Sequence, residues 1–388
     1  WATHGAPTTA NAHPHATDRV AIVHNGIIEN FRTLREELAK AGRAFESETD
    51  SEVIAHLISE GLDRSLAPEQ AVRAAVKRLE GAFAIACLFT GEDDTLIGAR
   101  KGSPLVVGLG EGEVFLGSDA IAVSPFTNRV IYLEEGDLAV LSRASVAIYD
   151  AGDAKAERAI AVLSGGAAAV EKGNHRHFMQ KEIYEQPETT GRTIARYLNA
   201  FDERVQMPGL DGVDLAADSA LIIGCGTAHY AGRVAEYWFE QVAGVSVETD
   251  IASEFRYRKP AFGKSAYSVF VSQSGETADT LAALRYCRAQ GLKTLAIVNV
   301  PESTIWREAD ARVPTLAGPE IGVASTKAFT AQLAALAALA IAAGRARGAL
   351  SGEDEAKLVH ALMETPRLIA EALHAEAHIE TIAHELSH

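Results

Sequence analysis

The apolar positions of this 388-residue chain change period partway along it. Over residues 20–150 the pattern predicts helices at 51–61, capped by Asp50, and at 68–79, with a Pro near its start. Strand-like runs then follow at 82–89, 95–99, 105–109, 114–117, 130–133, 138–142 and 146–149, separated by Gly, Asp and Ser turn signals. That rhythm predicts an antiparallel α+β domain. Periodicity weakens over 151–218, which reads as an interdomain connection with helices at 179–185 and 189–199. Short apolar runs at 220–223, 245–248, 268–271, 294–299 and 313–316 then alternate with helical patterns such as 230–242 and 277–289. This predicts an α/β domain with a five-stranded, doubly wound parallel sheet. A long helix at 325–343 closes it, and amphipathic helix fills most of 353–386.

Composition narrows the classes. The chain is 47% hydrophobic and 23% charged, which fits a folded globular protein and excludes collagen, coiled coil and disorder. Its 36 basic and 52 acidic residues leave a net charge of −16, so a nucleic-acid surface is disfavoured and any anionic ligand must be held locally. The longest strongly apolar stretch, 333–343, lies between Lys327 and Arg345 and falls short of the roughly 20 residues that span a bilayer. No membrane partner is expected. Cys87, Cys225 and Cys287 form no CxxC pair, which argues against a disulfide framework or zinc site and for a reducing, cytoplasmic setting. The chain opens at Trp1 without a signal-peptide pattern, as a fragment would.

The sheet domain carries the clearest chemistry. Its first strand runs into Gly224-Cys225-Gly226-Thr227 and its third into Ser272-Gln273-Ser274-Gly275-Glu276-Thr277, each leading into a helix. Hydroxyls there, with unpaired N–H groups and the positive end of the helix dipole, make a phosphate cradle that needs no Lys. With strand order 2-1-3-4-5, both loops meet at the topological switch point. Ordinary N-capping is the alternative. The loop 320–327 adds hydroxyls and Lys327, for which capping and a solvated Lys are the alternative. Cys225 reads as a packing residue rather than a nucleophile.

In the front half, His24-Asn25-Gly26 follows a strand at 20–23, and an Asn amide beside a Gly N–H can form an oxyanion hole. A plain turn is the alternative. His13-Pro14-His15 superficially resembles a metal tract but lacks a carboxylate or Cys cluster, so structural hydrogen bonding is the better reading. His374 and His378, spaced to share a helix face, have no third ligand and read as surface residues; no metal site is expected.

Together, Trp1-Ala2-Thr3-His4-Gly5, Asn11-Ala12-His13-Pro14-His15, the run from His24 to Asn30 and Ser47-Glu48-Thr49-Asp50-Ser51-Glu52 resemble class II glutamine amidotransferases. Gln180-Lys181-Glu182-Ile183-Tyr184-Glu185-Gln186-Pro187, Cys225-Gly226-Thr227, Glu254-Phe255-Arg256-Tyr257-Arg258, Ser272 to Thr277 and Glu320 to Thr330 resemble the glutamine–fructose-6-phosphate aminotransferase family. The resemblance implies an N-terminal-nucleophile amidotransferase domain of αββα type followed by a sugar-isomerase (SIS) domain. It divides the chain into 1–160 (amidotransferase, N-terminally truncated), 161–210 (linker), 211–351 (first SIS domain) and 352–388 (lead-in to a second SIS domain).

Its implied reaction hydrolyses glutamine, passes ammonia through a channel and converts fructose 6-phosphate to glucosamine 6-phosphate in a cytoplasmic homodimer, without a cofactor. By position, Asn25 and Gly26 resemble the oxyanion hole, Asp50 the clamp on the glutamine α-amine, Thr3 and His4 the glutamine-binding loop, and Trp1 the channel gate. His13 is given a supporting place only. Thr227, Ser272, Gln273, Ser274 and Thr277 resemble the phosphosugar-binding residues, with Val323 and Ser325 against the sugar; Ala228 replaces a Ser common there. The family's N-terminal Cys and second SIS domain are not matched, so this chain is expected to bind without turnover. A non-catalytic phosphosugar regulator and a truncated paralogue stay open as alternatives. Other class II amidotransferases fit less well, because the loops at 272–277 and 320–330 are not theirs.

Overall fold

The structure is a computed structural model that describes residues 5–6, 8–163, 172, 174–199, 201–210, 212–262, 266–301 and 303–387. It forms two compact units, 1–168 and 169–388.

In the front unit, strands β1 (His15–Ala16), β2 (Val20–Ile28), β3 (Gly81–Phe89), β4 (Leu96–Lys101), β8 (Leu138–Ser142), β9 (Ser145–Tyr149) and β10 (Lys155–Ala156) form one antiparallel sheet in the order β1-β2-β3-β4-β8-β9-β10. Strands β5 (Val106–Leu109), β6 (Val114–Gly117), β7 (Arg129–Tyr132) and β11 (Ile160–Val162) form a second, in the order β11-β7-β5-β6. The period-2 alternation sorts β3 between two cores. Phe83, Ile85, Cys87 and Phe89 pack with α1 (Phe31–Lys40), α2 (Glu52–Asp63) and α3 (Pro68–Val76), while Ala84 turns to the second sheet. Beyond that sheet lies the short α4 (Ala120–Val123), which completes αββα layering.

Helix α1 was not legible in the sequence: in a highly charged segment only Leu34 and Leu38 are buried. Asp50 does not cap α2 as expected. The N-cap is Ser51, and the Asp50 carboxylate instead accepts the Ile28 N–H at 2.8 Å.

The second unit holds β14 (Ser219–Gly224), β15 (Ser246–Ile251), β16 (Ala266–Ser272), β17 (Lys293–Val298) and β18 (Ala311–Pro314), all parallel, in the order β15-β14-β16-β17-β18. In strand-count terms this is 2-1-3-4-5, the order on which the switch-point argument depended. Helices cover both faces. Ala220 and Ile222 pack toward α6 (Thr227–Trp238) and α10 (Lys327–Ala346), whereas Leu221 and Ile223 pack toward α7 (Ala252–Phe255), α8 (Ala278–Ala289) and α9 (Thr304–Glu308). A small hairpin, β12 (Leu198–Asn199) with β13 (Arg204–Val205), precedes the sheet.

Three expectations need correction here. The two helices placed around Pro187 are one, α5 (Phe178–Tyr197). Proline removes the N–H that would bond the Ile183 carbonyl, and the Gln186 side-chain amide donates to that carbonyl at 3.0 Å instead. The tail is two helices, α11 (Gly352–Leu373) and α12 (Glu376–Leu386), so His374 falls between them and shares no continuous helix face with His378. Finally, α10 extends past the apolar stretch to 20 residues and is long and apolar enough to cross a membrane, but 78% of its apolar window is buried in this unit, as a core helix would be.

Candidate functional site

Strand β2 does not stop at Val23 but runs through Asn25 and Gly26, paired with Ala84 and Phe83 of β3. The plain-turn alternative is thereby removed. Gly26 sits at φ +138°, and a Cβ there would lie 2.0 Å from the Ala82 carbonyl oxygen and 2.8 Å from Phe83 Cα. Only glycine fits. In an antiparallel ladder the N–H groups of alternate residues point to the same edge, and the Ile28 N–H leaves β3 for Asp50. Gly26 lies on that same edge, two residues back. The side chains alternate as well: Ile22, His24 and Ile28 are buried, whereas Asn25 is exposed on the opposite face.

Behind this strand lies a buried polar cluster of Asn11, His15, His24, Ser47, Thr49, Asp50, Ser51 and Glu52. Its hydrogen bonds join three segments. His24 Nδ1 and Ser51 Oγ are 2.9 Å apart, Thr49 Oγ1 and His15 Nε2 3.1 Å, and the Glu48 N–H donates to Asn11 Oδ1 at 2.9 Å. Glu52 accepts the N–H groups of Glu46 and Ser47, both at 2.8 Å, and the Ser47 hydroxyl at 2.7 Å. The loop bearing Asp50 is thus tied to the strand bearing Asn25. Sequence reasoning missed His24 and Ser51 in this role; their one local signal was adjacency to Asn25 and Asp50.

Burial holds the imidazoles of His15 and His56 below their ordinary pKa and brings His24 down to about 4, with the Asp50 charge opposing that shift. Below pH 6.5 an unfolded chain protonates these histidines and the folded one resists, so stability falls with pH. For His24 the window runs from 6.5 to about 4, at up to about 1.4 kcal/mol per pH unit. We expect His24→Asn to flatten this acid limb in thermal unfolding followed from pH 7 to 4; an unchanged slope would contradict it. Thr3, His4 and Trp1 lie outside the described residues.

In the second unit Gly224 of β14 pairs with Val271 of β16, so the two hydroxyl-bearing loops leave adjacent strand ends. Ser272 is buried; its Oγ is 3.2 Å from Thr277 Oγ1 and accepts the Gly275 N–H at 3.0 Å. The Ser274 hydroxyl accepts the Glu276 N–H at 3.1 Å. Simple capping does not describe this loop, because Thr277, the N-cap of α8, makes no side-chain cap hydrogen bond. The N-cap of α6 is Gly226, which has no side chain, and the exposed Thr227 is the first helical residue. Gln273 Nε2 is buried with no hydrogen-bond partner among the described residues.

Asn299, at the end of β17, connects this loop to the next. Its N–H donates to the Gln273 carbonyl at 3.1 Å, its Nδ2 donates to the Gly318 carbonyl at 2.7 Å, and its Oδ1 accepts the Ala317 N–H at 3.0 Å. The chain then reaches the loop 320–327. There Val323 is 95% exposed, and the Ser325 hydroxyl donates to Glu320 Oε2 at 3.0 Å. Lys327 is neither solvated nor a free cation, contrary to both sequence readings. It is buried, with Nζ 2.6 Å from Glu185 Oε2. Among the described residues no group of three or more metal-ligating side chains occurs.

Residues 7–124 match the family model described as a glutamine amidotransferase domain, and residues 215–342 match the SIS domain. The whole chain is 56% identical to a glutamine–fructose-6-phosphate aminotransferase [isomerizing] of Bradyrhizobium diazoefficiens, and equally to one of Brucella suis biovar 1, covering 64% of each. It therefore spans 64% of the length of these curated relatives. Among solved structures, the C-terminal domain of glucosamine-fructose-6-phosphate aminotransferase from Francisella tularensis is similar at 39% identity and a TM-score of 0.54, over 56% of this chain and 61% of that one. On this sequence evidence and the two folds beneath it, the chain carries a glutamine amidotransferase domain followed by a SIS domain and is similar along its whole length to glutamine–fructose-6-phosphate aminotransferases.

Proposed function

We propose that this chain supplies the glutamine site and the first phosphosugar site of an enzyme that converts glutamine and fructose 6-phosphate to glutamate and glucosamine 6-phosphate. One observation carries the reading: a single chain joins an Asn25–Gly26 edge beside a buried Asp50 to a hydroxyl-lined pair of loops at a switch point. When a nucleophile attacks the glutamine side-chain amide, negative charge develops on its oxygen. The Asn25 amide and the Gly26 N–H are the donors for that oxygen, and fixed donors stabilise charge without reorganising. Asp50, oriented by the Ile28 N–H, receives the substrate's α-ammonium in a setting where Coulomb attraction is little screened. Thr3 and His4 complete the glutamine loop and Trp1 gates the ammonia path.

In the sheet unit, Thr227, Ser272, Gln273, Ser274 and Thr277 hold the phosphate, and Val323 and Ser325 face the sugar. The described cysteines do not serve as the nucleophile. Cys87 and Cys287 are buried, with thiols pushed up to about 12, and burial raises that of Cys225 too. The chain's share is therefore binding, orientation and oxyanion stabilisation. The same reading carries a cytoplasmic homodimer as the intact enzyme, with no nucleic-acid or membrane partner.

The full-length protein containing this chain is expected to form glucosamine 6-phosphate from both substrates. In it, Asp50→Asn should raise the KM for glutamine about 100-fold, the value of a charge-assisted contact, and leave fructose 6-phosphate binding unchanged. An unchanged glutamine KM would remove Asp50 from the site.

A further inference from the structure

Helix α5 grips the loop 320–327 at both ends through two carboxylates one turn apart. Glu182 is 2% exposed, and its Oε1 accepts the N–H groups of Ile321 at 2.5 Å and Gly322 at 3.0 Å. Its Oε2 also lies 3.1 Å from the Gly322 nitrogen. A Cβ on Gly322 would come within 2.5 Å of that oxygen, so the carboxylate fills the space a side chain would take. Glu185 binds Lys327 at the other end of the loop. Within the loop, Glu320 Oε1 accepts the N–H groups of Thr326 at 2.9 Å and Ala328 at 3.0 Å, which fixes the turn into α10. Between these anchors only Val323 and Ala324 are exposed.

A buried carboxylate is retained only where hydrogen bonds replace its water. Two consecutive backbone amides do so for Glu182, and among the described residues no cation is paired with it. Fastening α5 to the sheet unit would call for no particular loop conformation. Here the groups held are the amides immediately before Val323.

We infer that Glu182 is a positioning residue of the phosphosugar site: it touches no substrate, but it sets the backbone of the loop that places Val323 and Ser325 against the sugar. This rests on the phosphosugar reading given above. The distinctive expectation is a split between sugar and phosphate, because the phosphate is held by the separate loop at 272–277.

The test titrates this chain calorimetrically with fructose 6-phosphate and, separately, with inorganic phosphate. Glu182→Ala should weaken fructose 6-phosphate binding at least tenfold and shift phosphate binding less than twofold. Glu182→Gln, which keeps one acceptor oxygen for the two amides, should fall between wild type and Glu182→Ala. Gly322→Ala displaces the same carboxylate from the loop side and should reproduce the split even where Glu182→Ala does not fold. Folded variants that bind fructose 6-phosphate as wild type does, or that lose sugar and phosphate equally, would overturn the assignment of Glu182 while the phosphosugar reading stands. Absence of fructose 6-phosphate binding to the folded wild-type chain would overturn both.

Discussion

Gly26→Ala in the proposed glutamine-using enzyme is expected to abolish glutamine hydrolysis and to destabilise the front unit by about 3 kcal/mol or more. The new Cβ would lie 2.0 Å from the Ala82 carbonyl oxygen and 2.8 Å from Phe83 Cα, and both belong to the backbone of the paired strand β3. A flexible side chain could move aside; a strand inside a seven-stranded sheet cannot do so without breaking its ladder. The φ of +138° adds strain for any residue with a Cβ. Because Asn25 precedes this position, the defect falls on the proposed oxyanion donors themselves. Ammonia release and urea unfolding on the same preparation measure both effects. Retained hydrolysis with wild-type stability would show that the close approach of β2 to β3 is not required.

Gly275→Ala is the corresponding change in the sheet unit. Gly275 sits at φ +68°, and a Cβ there would be 2.0 Å from Ser303 Oγ and 2.6 Å from Ser303 Cβ, with Ser303 fully buried. The Gly275 N–H is also the donor that Ser272 Oγ accepts, and its carbonyl accepts the Ile305 N–H at 3.0 Å. Displacing this residue therefore disorders the loop that holds Ser272, Gln273 and Ser274. We expect fructose 6-phosphate affinity to fall more than about 100-fold, with a stability cost of about 2 kcal/mol. Adding Ser303→Gly removes the clash but not the backbone strain, so it should restore part of the affinity. If Gly275→Ala binds as wild type does, the loop geometry described here is not what binds the ligand.

The sequence made some of this architecture legible and hid the rest for physical reasons. Parallel strands buried on both faces are near-continuous apolar runs, and all five in the sheet unit lie at or within a few residues of their predicted places. Strand β2 is different. Its outward face carries Asn25 between the exposed Val23 and Ile27, so its second half looked like a turn although it is paired throughout with β3. Pro187 suggested a helix break that a neighbouring side-chain amide makes unnecessary.

The polar network was the least legible part. Glu182 is separated from Ile321 by 139 residues and Asn299 from Gly318 by 19, and local periodicity carries no trace of such contacts. Lys327 looked like a surface cation because its partner Glu185 lies 142 residues away. The hydroxyls of 272–277, clustered at one strand-to-helix turn, stand out in sequence as candidates; residues that hold another segment do not.

Calorimetric titration of fructose 6-phosphate into this chain decides whether the loop leaving β16 is a phosphate cradle for a ketose phosphate. Binding by the wild-type chain, lost in the Ser272→Ala, Thr277→Ala double variant that retains the wild-type circular dichroism spectrum, is the expected result. Equal binding by the two proteins, or no binding by a folded wild-type chain, would contradict it.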